Sequence, residues 1–186
     1  KTFMGNDHRR DHSFRIPRPD QSVVYKTPNT CTSCHKGKSD TWAAAAIKSR
    51  YGPTRAYHFS DDLLPGSLVN NKNKKHLLKL LADSLQPEIA RATAVHYLGM
   101  IQSQPTANAL IRALRDEKAL VRYHAVRSLE NFPPEVWREP AVHNLTDIVR
   151  AVRIAAADLY HQLPPEAIPV LARNSYAAAD AENRKF

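Results

Sequence analysis

From about residue 73 onward, apolar positions recur at helical spacing, and the recurrence itself repeats every 31 residues. Ala90-Arg91, Val121-Arg122 and Val152-Arg153 mark one step of the repeat. Ala94, Ala125 and Ala156 follow the same step, as do Leu98, Leu129 and Tyr160. Each copy reads as a pair of helices, an outer one such as 107–115 and an inner one such as 120–130. Pro105, Pro133-Pro134 and Pro164-Pro165 stand between the pairs, where an interior helical hydrogen bond is not required. A period near 30 with two amphipathic helices per unit predicts a short α-solenoid over 73–186.

The pattern resembles HEAT-like repeats, in which a small residue in mid-helix lets neighbouring helices approach. Arg91, Arg122 and Arg153 are expected on one face, with Asp116 and Asp147 placed to tie adjacent units together. That makes these arginines structural rather than ligand-binding. Met100, near the end of an inner helix, is expected in the core.

Upstream the pattern changes. Residues 1–30 show little periodicity, and Arg15-Ile16-Pro17-Arg18-Pro19-Asp20 is expected to be extended, since a residue before proline is pushed out of the helical region. A helix is predicted from Ser39 and Asp40 through Ala43–Ile47 to a stop at Gly52-Pro53. Residues 54–72 read as a linking loop, with turn signals at Leu64-Pro65-Gly66 and Asn70-Asn71. The expected organisation is an extended binding segment over 1–58, a linker over 59–72 and the repeats over 73–186, all-α in class.

Composition narrows the function. Apolar residues make up 42% and charged residues 24% of the 186, enough for a packed core. Only 5 glycines stand against 13 prolines, which disfavours a Gly-rich barrel or nucleotide-binding loop. No apolar run approaches the roughly 18 to 20 residues that cross a bilayer, so no transmembrane segment is expected. The net charge of +9 is concentrated upstream: residues 1–58 hold 11 Lys/Arg against 4 Asp/Glu, and residues 59–186 hold 16 against 14. A basic end invites an acidic partner. The near-neutral repeats, without interleaved aromatic and basic residues, disfavour nucleic acid.

The two cysteines stand in one pentapeptide, Cys31-Thr32-Ser33-Cys34-His35. A secreted disulfide framework would space its cysteines along the chain. A thioredoxin-like pair should follow a β-strand, and the upstream segment is Pro-rich instead. A zinc site would need two further ligands, for which His8 and His12 come closest in spacing. The spacing is that of covalent haem c attachment: two thiols three positions apart add across two vinyl groups of one porphyrin. His35 is then held beneath the ring as the proximal iron ligand. Haem c ligation takes place outside the cytoplasm, so a periplasmic or extracellular location is expected, although no signal segment is seen.

Iron in haem c is closed by His or Met for electron transfer, or left open for ligand chemistry. His12 is the first choice as distal ligand and His8 the second, because both lie on a polar arm. The 19 residues from Phe14 to Thr32 can span a haem. Met4 and Met100 are the only methionines; His58, His76, His96, His124, His143 and His161 are spread over the loop and repeats.

Arg10-Asp11-His12-Ser13-Phe14-Arg15-Ile16-Pro17-Arg18-Pro19, Thr27-Pro28-Asn29-Thr30 before the cysteine motif, Trp42-Ala43-Ala44-Ala45 and Tyr51-Gly52-Pro53 resemble the last haem-binding segment of a family of multihaem c-type cytochromes. Those proteins continue into HEAT or tetratricopeptide-type repeats. The resemblance implies that His12 is a distal ligand, to this haem or a neighbouring one. The family carries several C-x-x-C-H motifs and this chain has one, which implies a piece or subunit of a larger multihaem chain or complex. The expected function is electron transfer through a bis-His haem c to an acidic redox protein. The alternative is a five-coordinate haem enzyme acting on peroxide or a nitrogen oxide, and the non-redox reading is a repeat module that binds a protein.

Overall fold

A computed structural model describes residues 17–184, together with the backbone of two short strands near the start. These strands, β1 (Thr2–Phe3) and β2 (Asp7–His8), pair antiparallel with Thr2 opposite His8. The rest of the described chain is helical, and it divides into two compact units, Lys1–Ala56 and Tyr57–Phe186.

The first unit holds α1 (Pro19–Tyr25), α2 (Thr30–Cys34) and α3 (Asp40–Tyr51), with α1 packed along α3. Helix α1 departs from the expected extended run. Pro19 sits in its first turn, where a missing N–H costs nothing, and Arg18, kept out of the helical region by Pro19, is the residue just before the helix begins. Ser39 caps α3 by accepting the Trp42 N–H at 3.1 Å, as its position before Asp40 predicts. Among the described residues this unit buries only Pro19, Gln21, Ser22 and Ala43. No Val, Ile or aromatic side chain is buried there, and Val24, Trp42 and Tyr51 are exposed.

The second unit is the solenoid. It runs through α4 (Ser60–Gly66), α5 (Lys74–Ala82), α6 (Glu88–Gly99), α7 (Gln104–Ala113), α8 (Ala119–Leu129), α9 (Pro134–Trp137), α10 (Arg150–Tyr160) and α11 (Arg173–Asn183). Helices α6, α8 and α10 are the inner helices of the repeat, and α6 packs on α8 and α8 on α10. The register read from the sequence is the core: Ala90, Val121 and Val152, then Ala94, Ala125 and Ala156, then Leu98, Leu129 and Tyr160 are all buried. The alanines bring the helices close, and Gly99 goes further. A Cβ there would lie 2.6 Å from the Ser128 Cβ, so α6 and α8 touch at backbone distance.

Three expectations are corrected. Residues 57–72 fold with the second unit: α4 packs on α5 and buries Asp62, Pro65 and Gly66 where a linker was expected. Its residue pattern is too short and too acidic to show helical periodicity. The third copy has no regular outer helix; Pro133, Pro134 and Pro140 break it into α9 and a 3₁₀ segment over Pro140–Thr146. Met100 is not in the core. It caps the end of α6 with its side chain 52% exposed, because Leu98 and Ile101 take the buried positions beside it.

Candidate functional site

Cys31 and Cys34 lie on α2, three residues apart and so on one face of a single helical turn. Asn29 builds that turn. Its Oδ1 accepts the Cys31 N–H at 3.0 Å, and its Nδ2 donates to Asp40 Oδ1 at 2.8 Å, so one side chain ties the start of α2 to the start of α3. The His35 N–H closes the helix on the Cys31 carbonyl at 2.9 Å. Gly37, at φ 79, then turns the chain toward α3 in a conformation that costs a side chain and not glycine.

Both cysteines are free thiols; Cys31 is half-buried, and Cys34 and His35 are exposed. The His35 ring stands 5.0 Å from the Trp42 indole at an interplanar angle of 54°. The Lys38 ammonium lies 5.7 Å from the centroid of the same indole. Trp42 therefore holds His35 on one side and draws a cation beside it. The donor set is two thiols on one helical face with an imidazole at the helix end, and its chemistry fits thioether attachment of a porphyrin with His35 beneath it. Among the described residues no three His, Cys, Asp or Glu side chains are grouped to hold a bare metal ion.

The distal candidates fall outside the described side chains. His12 lies outside the described residues, as does Met4, and His8 is described only as backbone in β2. The other histidines have separate roles. His58 bonds Ser60 at 2.8 Å where α4 begins, and His143 Nε2 donates to the Leu114 carbonyl at 3.1 Å. His161 Nδ1 lies 3.3 Å from the Tyr176 hydroxyl. His96 and His124 meet each other across the inner helices.

Sequence reasoning missed a polar cluster around Asp62, because it falls in the supposed linker. Asp62 Oδ1 accepts His76 Nδ1 at 2.7 Å, and its Oδ2 accepts the Tyr57 hydroxyl at 2.8 Å and Lys79 Nζ at 2.8 Å. Burial pushes the Asp62 carboxyl up, but the donors from Lys79, His76 and Tyr57 outweigh it and hold it below the usual range. Burial, with Asp62 alongside, raises the Tyr57 phenol. The cluster pins α4 to α5.

The predicted arginine ladder is present and longer than expected. Arg91 pairs with Asp116, Arg122 with Asp147 through two bonds of 2.6 and 2.8 Å, and Arg153 with Glu182 through two of 2.7 and 2.8 Å. Glu182 had no repeat signature, since it stands on α11 outside the 31-residue step. Asp116 and Asp147 also accept the Lys118 and Val149 N–H groups, fixing the turn that leads into the next inner helix. These arginines are structural.

The HEAT-repeat family profile matches residues 75–160, the stretch that holds α6, α7, α8 and α10. The second unit is thus a HEAT-repeat α-solenoid. No curated protein matches the chain significantly. No helix among the described residues is long and apolar enough to cross a membrane.

Proposed function

We propose that the chain is an electron-transfer c-type cytochrome, or a subunit or piece of a multihaem one, with a single haem c attached at Cys31 and Cys34 and a HEAT-repeat solenoid that docks its partner. The observation that carries this reading is the turn of α2, where two free thiols share one face and His35 closes the helix against Trp42. Haem c supplies an iron that cycles between two oxidation states and so accepts and passes on one electron.

The chain's own residues set the conditions for that transfer. Cys31 and Cys34 would hold the porphyrin by two thioethers, the Asn29–Asp40 bond fixes α2 against α3, and Trp42 stands beside the His35 imidazole. His12, or His8, would supply the second imidazole to this haem or a neighbouring one. Burial supports the same assignment: the described part of the first unit buries no large apolar side chain, and a porphyrin attached beside exposed Trp42 supplies the apolar surface it would pack on. Arg9, Arg10, Lys26, Lys36 and Lys38 give this end its positive charge and steer an acidic redox protein toward it. Haem c attachment implies export to the periplasm or cell exterior.

Expression in a host with haem c ligation machinery tests the attachment. The wild-type chain is expected to keep its haem through denaturing electrophoresis and to give a haem c pyridine spectrum. The C31A/C34A variant is expected to carry none. A wild-type chain without covalent haem would remove this function.

A further inference from the structure

The inner helices bring two imidazoles together on the surface of the solenoid. His96 of α6 and His124 of α8 have ring centroids 6.3 Å apart at an interplanar angle of 72°. Neither ring has a hydrogen-bond partner among the described residues, whereas His58, His76, His143 and His161 all do. His96 is exposed and His124 half-buried, so the pair opens to solvent on one side and rests on the helices on the other.

We propose that His96 and His124 form a two-imidazole site for a divalent transition-metal cation of the copper–zinc class, completed by water. An ion held about 2.0 to 2.1 Å from one nitrogen of each ring spaces the two centroids by about 5 to 6 Å, depending on the angle at the metal. The observed separation is within a small side-chain rotation of that range. The two residues come from adjacent repeats, so the stacking of α6 on α8 preorganises the pair without a loop. Imidazole suits copper, nickel and zinc, and copper binds tightest of the divalent ions to such donors. Arg127, three residues after His124 on α8, is engaged by Glu130 at 2.7 Å. This site lies in the second unit and does not depend on the haem assignment.

Titration of the full-length chain with CuCl₂ and ZnCl₂ tests it, beside the variants H96A, H124N, H96A/H124N and H161A. The expected result is one saturable Cu²⁺ site per chain, at least tenfold weaker in H96A and in H124N and unchanged in H161A. The Cu²⁺ paramagnetic resonance spectrum should show coupling to two imidazole nitrogens. His96 is exposed, so H96A keeps the test valid should H124N unfold: Cu²⁺ should raise the thermal midpoint of the wild type and not that of H96A. Equal Cu²⁺ affinity in wild type and H96A, or the absence of a saturable site in the wild type, would overturn the proposal.

Discussion

Tyr160 shows how one side chain is fitted to the end of a repeat. It occupies the step that Leu98 and Leu129 fill in earlier copies, and its ring packs edge-on against Trp137 at 5.6 Å. A phenol so placed needs a partner, and its hydroxyl donates to the Arg138 carbonyl. Burial, with Glu139 near, raises the phenol pKa. Tyr160→Phe is expected to cost about 1 to 3 kcal/mol in urea unfolding, because the carbonyl loses its donor while the ring stays. Gly99 is constrained in the opposite sense. Gly99→Ala should also cost about 1 to 3 kcal/mol, since its methyl meets Ser128 with no room to yield; no loss of stability would contradict the close approach of α6 and α8. At this scale the sequence was informative wherever spacing alone carries the chemistry. The i, i+3 placement of Cys31 and Cys34 could be read from four consecutive letters, and the structure puts both thiols on one helical turn. The exposure of Met100 could not be read, because it depends on which of three successive apolar residues turns inward at a helix end.

Between elements, the arginine ladder is the main polar tie. Asp147 both pairs with Arg122 and accepts the Val149 N–H in the turn before α10, and its side chain is only 6% exposed. Removing it leaves a guanidinium without its carboxylate, so Asp147→Ala should destabilise the second unit by about 3 kcal/mol, read by chemical denaturation. The sign of the pH effect follows from the carboxyl. Burial raises its pKa, yet the bonds from Arg122 and from the Val149 N–H lower it further than burial raises it. Its stabilisation is therefore complete above the unfolded value near about pH 4 and is lost as pH falls through the lowered folded value. Asp62 acts in the same direction. Acid titration of stability should show a steep loss below about pH 4 in the wild type and a shallower one in Asp147→Ala. An unchanged acid limb would show that Asp147 is not held in this way. The inner helices and their period were legible because repetition displays them three times, and the Asp116 and Asp147 rungs because they share the same 31-residue step. Helices α1 and α4 were not, since each is seven residues long and contains proline, so no helical period accumulates.

On the scale of the whole molecule, the two units are built by different means. The second has a continuous hydrophobic core running through its repeats, from Leu77 to Ala179. The described part of the first buries four residues and presents Val24, Trp42 and Tyr51 outward. Heating is therefore expected to show a cooperative transition of the solenoid that the C31A/C34A variant leaves in place, while the helicity of α1–α3 falls in that variant. A solenoid transition abolished with the cysteines would contradict the independence of the units. Fold and repeats were legible in the sequence because burial periodicity encodes them. His12 and His8 stand on an aperiodic arm, where no spacing rule places an imidazole.

The most direct test of the central claim is the visible spectrum of the purified holo chain, ferric and dithionite-reduced, with and without carbon monoxide. A covalently attached, six-coordinate haem predicts sharp α and β bands on reduction that carbon monoxide does not move. A high-spin ferric spectrum with ready carbon monoxide binding would contradict electron transfer through a closed iron and favour a five-coordinate haem enzyme. The absence of any Soret band would contradict both.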